Sequence, residues 1–263
     1  MSLVVDLFSR VGVVLVRPKS PGNVGSVARA MKNMGFTRLT VADPMTYEDP
    51  RYFDEEARRM AWAATDLLDS RGEAPDLAAA LAGCALVAGT TSKPPGIARV
   101  LAPREMAIEV TRFLSEHRSA TAALVLGQED IGLTRDDLSL CHLVGSIPSA
   151  GAYPSLNLAQ AALLFLYELR LAMLDASPPV PGAPTGPSID DPAGAAPSHQ
   201  QLEAFYRRLE ETLDAIGFFQ GTARAHMMRD LKLLFNRTLM TSRELSILEG
   251  VAHRMMWMAR RRE

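Results

Sequence analysis

Short apolar runs alternate with amphipathic segments over residues 1–175, and this alternation limits the fold more than any other feature. Such runs are typical of buried strands, whereas the segments between them repeat apolar residues with helical spacing. The predicted strands are Val11–Val16, Leu39–Val41, Ala85–Ala88, Ala122–Leu126 and Leu143–Ile147. The predicted helices are Val24–Met34, Asp54–Leu68, Leu77–Leu81, Pro103–Ser115 and Leu156–Leu174. We therefore expect an α/β fold, with a mainly parallel sheet, helices on both faces and ligands at the carboxyl ends of the strands.

A proline-rich segment divides the chain. Residues 176–198 contain seven prolines and no aromatic side chain, so they bury too little apolar surface to order themselves. We expect an α/β domain over 1–175, a flexible linker over 176–198 and a helical C-terminal extension over 199–263. Apolar residues with helical spacing predict three helices in this extension.

The extension is the more basic part of the chain. Residues 198–263 carry 11 Lys+Arg against 8 Asp+Glu, a net charge of +3, whereas the whole chain carries −2. The overall charge does not favour nucleic acid, but a local basic surface can suffice. Two interpretations stay open for the final cations, Arg260, Arg261 and Arg262: a solvated helix end, or a contact with RNA phosphates.

Several classes of protein are disfavoured. Cys84 and Cys141 lie in apolar surroundings, which predicts buried, reduced thiols and a cytoplasmic setting. Neither a secretory signal nor a run of about 18 apolar residues is present, so we expect no membrane contact. The sequence lacks G-x-G-x-x-G, a P-loop and G-x-S-x-G, and its five histidines do not have metal-ligand spacing. The chemistry therefore needs neither a metal nor a histidine base.

Polar loops rich in glycine and proline follow four of the predicted strands. They are Arg17–Pro21, Gly89–Pro94, Gly127–Leu133 and Ile147–Asn157. Each of the last three loops alone reads as a tight turn, but three such loops at strand ends indicate one pocket, because glycines let the backbone approach a ligand. The first loop opens a helix whose Arg29 lies away from the apolar face, where it can meet solvent, a ligand or a partner chain.

Three of these segments occur in the order found in one known enzyme family. Pro21–Arg29 resembles the first motif of the SPOUT superfamily of RNA methyltransferases, in its SpoU (TrmH-like) branch. Leu126–Leu133 is similar to the second motif and Ile147–Ala159 to the third. The segment Leu202–Leu248 is similar to the helical extension of the TrmJ-type tRNA 2′-O-methyltransferases, so the closer resemblance is to that group.

The resemblance implies a trefoil-knotted fold that binds S-adenosylmethionine and works as a homodimer, with both subunits contributing to the active site. It implies methyl transfer to a ribose 2′-hydroxyl of tRNA, with position 32 of the anticodon loop as the expected target. By motif match, the methyl-donor pocket comprises Thr90, Thr91, Ser92, Gly127, Ile147, Pro154, Ser155 and Leu156. By the same match, the catalytic residues are Asn23, Arg29, Glu129, Ser155 and Asn157.

Two roles stay open for Arg29. It either takes the proton from the hydroxyl, or it stays a cation and orients a phosphate, and we favour the second because a guanidinium is normally locked in its charged form. Asn157 and Ser155 would fix the hydroxyl and the donor. Glu129 is expected to anchor the loops through Asn23 or backbone N–H groups.

Other functions compete with this interpretation. The alternatives are methylation of ribosomal RNA and a non-catalytic RNA-binding dimer that has kept the fold. The extension has two readings as well, since it can grip a second part of a tRNA or stabilise a dimer.

Overall fold

The structure, a computed structural model, describes residues 7–44, 50–93, 99–150, 155–176, 195–219 and 224–261. Its centre is a sheet of seven parallel strands in the order β3-β2-β1-β6-β4-β7-β5. The strands are β1 Val11–Val16, β2 Arg38–Ala42, β3 Gly72–Ala74, β4 Leu86–Thr90, β5 Val100–Leu101, β6 Ala122–Leu126 and β7 Leu143–Gly145. The predicted parallel sheet is confirmed. The edge strands β3 and β5 escaped prediction because two or three residues are too short to show a periodicity.

Helices cover both faces of the sheet, as predicted. The helices of this domain are α1 Pro21–Met34, α2 Pro50–Ala61, α3 Thr65–Asp69, α4 Leu77–Leu81, α5 Pro103–Glu116, α6 Arg135–Ser139 and α7 Leu158–Asp175. Along β6, alternate side chains enter two separate apolar clusters, one packed by α1, α5 and α7 and the other by α4 and α6. Burial on both faces explains why the central strands are almost wholly apolar.

Several predicted boundaries were wrong. The helix predicted over Asp54–Leu68 is broken, since α2 ends at Ala61 and a 3₁₀ turn over Trp62–Ala64 precedes α3. The strand predicted to reach Ile147 ends at Gly145, which places Ile147 in a loop. The last helix begins after Leu156, because the Asn157 side chain caps it. The first helix begins three residues early, at Pro21, since Ser20 is its N-cap and proline suits a first turn.

The extension forms the three predicted helices, α8 His199–Ala215, α9 Arg224–Asn236 and α10 Ser242–Arg260. Their apolar faces share a small core that contains Leu202, Phe205, Tyr206, Met240 and Leu245. Residues 177–194, most of the predicted linker, lie outside the described residues, so its flexibility stays a prediction.

The extension docks on the amino-terminal edge of the sheet. The backbone N–H of His199 donates to the carbonyl of Cys84, just before β4, at 2.8 Å. Asn236 Nδ2 donates to the carbonyls of Ser139 at 3.0 Å and Cys141 at 3.4 Å, just before β7. Its Oδ1 accepts from the buried Tyr206 hydroxyl at 2.7 Å. This edge is therefore closed by buried polar bonds.

Both cysteines are buried and free, as expected from their apolar neighbours. Burial raises the pKa of both thiols. Across the residues given above, no helix combines the length and the apolar character that spanning a membrane requires.

Candidate active site

The opposite, carboxyl-terminal edge of the sheet carries a cavity of about 220 Å³. It is enclosed by the loops after β4, β6 and β7 and by the start of α7, and these three strands are neighbours in the sheet. Seven residues predicted for the donor pocket line it: Thr90, Thr91, Ser92, Gly127, Ile147, Ser155 and Leu156. The eighth, Pro154, lies outside the described residues.

Other lining residues were not among the eight named for the donor pocket, although some lie in the loops predicted to form it. They include Lys93, Leu126, Gln128, Asp130, Ile131, Leu158, Ala161 and Phe165. A signal for two of them was present in the sequence. Ala161 and Phe165 follow Asn157 at intervals of four, so they share its side of α7 and continue the cavity wall along the helix.

The loop after β6 depends on its glycines. A Cβ at Gly127 would lie 2.1 Å from the carbonyl carbon of Gly132, so no other residue fits without moving the backbone. Gly132 itself has φ of 73° and donates its N–H to the Gln128 carbonyl at 2.7 Å. The loop therefore folds back on itself. Glu129 and Asp130, which lie between the two glycines, are held at the edge of the cavity.

The loop after β4 is fixed by hydrogen bonds to its neighbours. The Thr90 hydroxyl donates to the Val125 carbonyl at 3.2 Å. The Thr91 N–H donates to the Gly145 carbonyl at 2.9 Å. These bonds join β4 to both adjacent strands and hold the threonine backbone against the cavity.

Three of the predicted catalytic residues form one hydrogen-bonded chain, which we call the amide chain. Asn23 Nδ2 donates to Glu129 Oε1 at 2.8 Å, and Asn157 Nδ2 donates to Asn23 Oδ1 at 2.9 Å. Asn157 Oδ1 also accepts from the first N–H groups of α7, those of Ala159 at 2.9 Å and Gln160 at 3.4 Å. The chain thus ties α1, the loop after β6 and α7 together beside the cavity.

Glu129 makes the anchoring contacts expected from the sequence. Besides the bond from Asn23, its carboxylate accepts from the N–H of Lys19 at 2.8 Å and of Ser20 at 3.1 Å. Burial alone would raise the pKa of Glu129, but these hydrogen bonds favour the charged form and leave the pKa lowered. A carboxylate held this way is a poor base at neutral pH, so its geometry suits an anchor.

Two ion pairs that were not predicted from the sequence hold the loop after β1 in place. Lys19 pairs with Asp130 of the loop after β6. Arg17, which has φ of 50°, pairs with the buried Asp137. Asp137 also accepts from the Thr134 N–H at 2.8 Å. Neither pair has a local signal, because the partners lie more than 100 residues apart in sequence.

Arg29 is the one predicted catalytic residue that neither lines the cavity nor takes part in the amide chain. Its side chain is exposed, and among the described residues it makes no hydrogen bond or ion pair. It lies six residues after Asn23 on α1, which corresponds to about 9 Å along the helix and a different face. Ser155 is exposed and lines the cavity. Within the described residues, no group of three His, Cys, Asp or Glu side chains is placed to hold a metal ion.

Comparison with known proteins identifies the fold and the extension separately. Residues 10–167 match the SpoU rRNA Methylase family, and residues 200–263 match the C-terminal domain of the tRNA methyltransferase TrmJ. The tRNA (cytidine/uridine-2′-O-)-methyltransferase TrmJ of Klebsiella pneumoniae is 36% identical over 246 residues, covering 93% of this chain and 96% of that protein. The enzyme of the same name from Cronobacter sakazakii is 37% identical over 251 residues, covering 93% and 95%.

Solved structures agree. The crystal structure of TrmJ from Z. mobilis ZM4 superposes with a TM-score of 0.74 at 28% identity, covering 93% of this chain and 98% of that chain. A probable methyltransferase from Bordetella pertussis Tohama I matches with a TM-score of 0.58 at 37% identity, covering 64% and 99%. A family match over more than half of the chain and these full-length relatives leave one conclusion: the chain belongs to the SpoU methyltransferase family, in the branch of the TrmJ tRNA 2′-O-methyltransferases.

Proposed function

We propose that the chain transfers a methyl group from S-adenosylmethionine to a ribose 2′-hydroxyl of tRNA, at position 32 of the anticodon loop. One observation supports it most: the amide chain of Glu129, Asn23 and Asn157 lies beside a cavity lined by seven of the eight residues expected in the donor pocket. The names of the relatives supply the substrate class.

The cavity has the chemical character that a methyl donor of this kind needs. Leu126, Ile147 and Leu156 offer apolar walls for an adenine ring, and Thr90 and Ser92 offer hydroxyls. Glu129 places a charged carboxylate at the edge, which favours a cationic ligand, whereas Asp130 is paired with Lys19. S-adenosylmethionine supplies an already activated methyl group when bound, so the protein mainly has to position the acceptor.

The amide chain can orient the acceptor. Asn157 has both its amide atoms engaged, so its side chain is held in one rotamer and one orientation. Ser155, two residues earlier and exposed to the cavity, keeps its hydroxyl available to a ligand. In our proposal Asn157 and Ser155 fix the ribose and the donor, and Glu129 keeps the loops in register.

We further propose that Arg29 completes the site of a second copy of the chain. Four apolar side chains of α7 are 41–49% exposed, namely Leu163, Leu164, Tyr167 and Leu174, and α7 packs beside α1, which carries Arg29. A dimer through this face would cover them and bring Arg29 to the partner's cavity. Arg29 would stay a cation that binds an RNA phosphate and, through its charge, makes the 2′-hydroxyl easier to deprotonate. We also expect the chain to be knotted around the donor site.

The extension supplies a second RNA contact in this proposal. Near the end of α10, the guanidinium of Arg254 lies 4.2 Å and that of Arg261 4.0 Å from the centre of the Trp257 ring. This group is basic and partly exposed, and it lies on the domain that docks away from the cavity. A tRNA is long enough to reach both, so the extension would add affinity for tRNA over smaller RNAs.

The decisive experiment maps the product. Purified protein is incubated with S-adenosylmethionine and tRNA transcripts, and nuclease digestion with mass spectrometry locates 2′-O-methyl groups. We expect methylation at position 32, its loss in Asn157→Ala, and its retention in Asn33→Ala, which removes an exposed amide of α1. Methylation of ribosomal RNA but not of tRNA would favour the alternative substrate, and absence of donor binding would contradict the enzymatic function.

The buried free thiols suit the reducing cytoplasm, where we place the protein.

A further inference from the structure

Trp62 combines two unfavourable properties. Its side chain is 75% exposed, more than any other large apolar side chain in the described part of the chain. Its backbone has φ of 54°, the left-handed region that residues with a Cβ rarely adopt. It breaks what the sequence predicts as one continuous helix. Strained residues of this kind are found more often at functional sites, and Trp62 combines the strain with an exposed ring.

The turn at Trp62 is fixed against α1. A Cβ at Gly25 would lie 3.0 Å from the backbone nitrogen of Ala61, just before Trp62. Lys32 Nζ donates to the carbonyl of Ala63, just after it, at 2.7 Å. The backbone on either side of Trp62 is therefore held in place, whereas its indole ring is exposed.

These anchors place Trp62 beside Arg29. Gly25, Arg29 and Lys32 follow each other at intervals of four and three, so they share one face of α1. The first and last of them contact the residues on either side of Trp62. Arg29, between them, is exposed on the same face.

The surroundings fit RNA better than an apolar partner. The exposed cation Arg29 lies nearby on α1, and the side chain of Arg59, three residues before Trp62, is 73% exposed. Lys32 pairs with Asp66 and Arg59 lies 4.0 Å from Glu56, so the positive charge here that no described carboxylate offsets is that of Arg29. An aromatic ring beside such a cation offers a base a stacking surface and offers a phosphate positive charge.

We propose that Trp62 stacks on a nucleobase of the RNA substrate and so seats the target strand next to Arg29. This inference rests on the proposed function, because it takes RNA as the substrate. It assigns Trp62 a role in binding the acceptor, separate from the donor cavity.

Fluorescence gives a direct test. The chain has two tryptophans, so Trp257→Phe leaves Trp62 as the sole emitter. We expect the emission of an exposed indole that tRNA quenches in a saturable way and that S-adenosylmethionine alone does not change. Emission that responds to protein concentration and not to tRNA would assign Trp62 to contact between copies of the chain and overturn the proposal.

Kinetics give an independent test. Trp62→Gly removes the ring and suits the positive φ, so the fold is expected to persist. We expect the KM for tRNA to rise about 10- to 100-fold, as for loss of one stacked base, with kcat changing less. Trp62→Phe should recover most of the affinity. Ile108→Ala, which truncates a 55% exposed side chain on α5, is the matched control and should leave KM unchanged.

The two hypotheses fail differently. If the unmodified protein methylates no RNA, the proposed function fails. If it methylates tRNA while Trp62→Gly keeps the KM of the parent, the inference about Trp62 fails alone. An altered oligomeric state of Trp62→Gly in sedimentation, with unaltered KM, likewise contradicts stacking on RNA.

Discussion

The two edges of the sheet carry polar networks of similar size and opposite character. At the carboxyl edge, Glu129, Asn23 and Asn157 are joined by hydrogen bonds but stay partly or fully exposed beside a cavity. At the amino edge, Tyr206 and Asn236 are joined in the same way and are 1% and 4% exposed. A buried network can only be satisfied internally, whereas an exposed one can exchange partners for a ligand. Solvent access therefore distinguishes the network at the carboxyl edge, which can bind a ligand, from the network at the amino edge, which stabilises the fold.

The largest effect should follow from Arg29→Ala. Removing a cation that acts on the transition state lowers kcat by about 10²- to 10³-fold, while the donor affinity measured by calorimetry should stay within about twofold. Arg118→Ala, which removes an exposed arginine near the amino edge, should change neither. Loss of donor affinity in Arg29→Ala would give Arg29 a place in the donor cavity instead.

Mixed dimers test whether Arg29 acts in the cavity of its own chain or in that of the partner. If Arg29 serves the partner's cavity, a dimer of Arg29→Ala with Asn157→Ala contains one intact site. Mixing the two inactive proteins should then restore part of the activity. Failure to restore it, with subunit exchange confirmed, would place Arg29 and Asn157 in the same site of one chain.

The next effect concerns the backbone of the carboxyl edge. Gly127→Ala places a Cβ 2.1 Å from the Gly132 carbonyl carbon, so the loop must move. A displacement of about 1 Å in an active site can lower the reaction rate about 10²-fold. We expect the donor affinity measured by calorimetry to fall by a similar factor. Gly250→Ala is the matched control, since its Cβ would meet no atom within 4 Å in α10. It should leave donor binding intact.

At the amino edge, the effect should be on stability. Asn236→Ala leaves the Tyr206 hydroxyl and the carbonyl of Ser139 buried without that partner, which costs about 2 kcal/mol in the free energy of unfolding by urea. Gln200→Ala, an exposed position of α8, should cost little. Donor affinity should be unchanged in both. A loss of donor affinity in Asn236→Ala would show that the two edges are coupled.

The effect that is smallest at neutral pH is a pH dependence of the same edge. Burial and the nearby His199 lower the pKa of His142 to about 3, and its Nδ1 accepts from the Val87 N–H at 3.0 Å. The unfolded chain, with an ordinary histidine pKa of about 6.5, binds the proton first. Stability should therefore fall as pH drops from about 6.5 towards 3, by at most about 1.4 kcal/mol per pH unit.

The matched comparison is His142→Asn, which keeps an acceptor but cannot titrate, against His253→Gln at an exposed position. His142→Asn should flatten the slope of unfolding free energy against pH, and His253→Gln should not. An unchanged slope in His142→Asn would mean that other groups set the acid sensitivity of this edge.

The sequence predicted the sheet from local patterns, whereas the residues that line the cavity were expected from their match to family motifs. Apolar runs such as Ala122–Leu126 show burial directly, and glycine loops at strand ends show where backbone approaches a ligand. Trp62 could not be foreseen, since nothing local demands a positive φ at a tryptophan within a helical pattern. The pair of Arg17 and Asp137 is equally invisible, because a contact across 120 residues depends on strand order.

Asn157 has one further consequence. Its Oδ1 holds the N–H groups of Ala159 and Gln160, while its Nδ2 completes the amide chain. Any ligand that restrains this side chain also restrains the first turn of α7. We therefore expect a ligand that contacts Asn157 to slow the hydrogen exchange of those two amides, so that one asparagine would link binding to the fraying of the helix end.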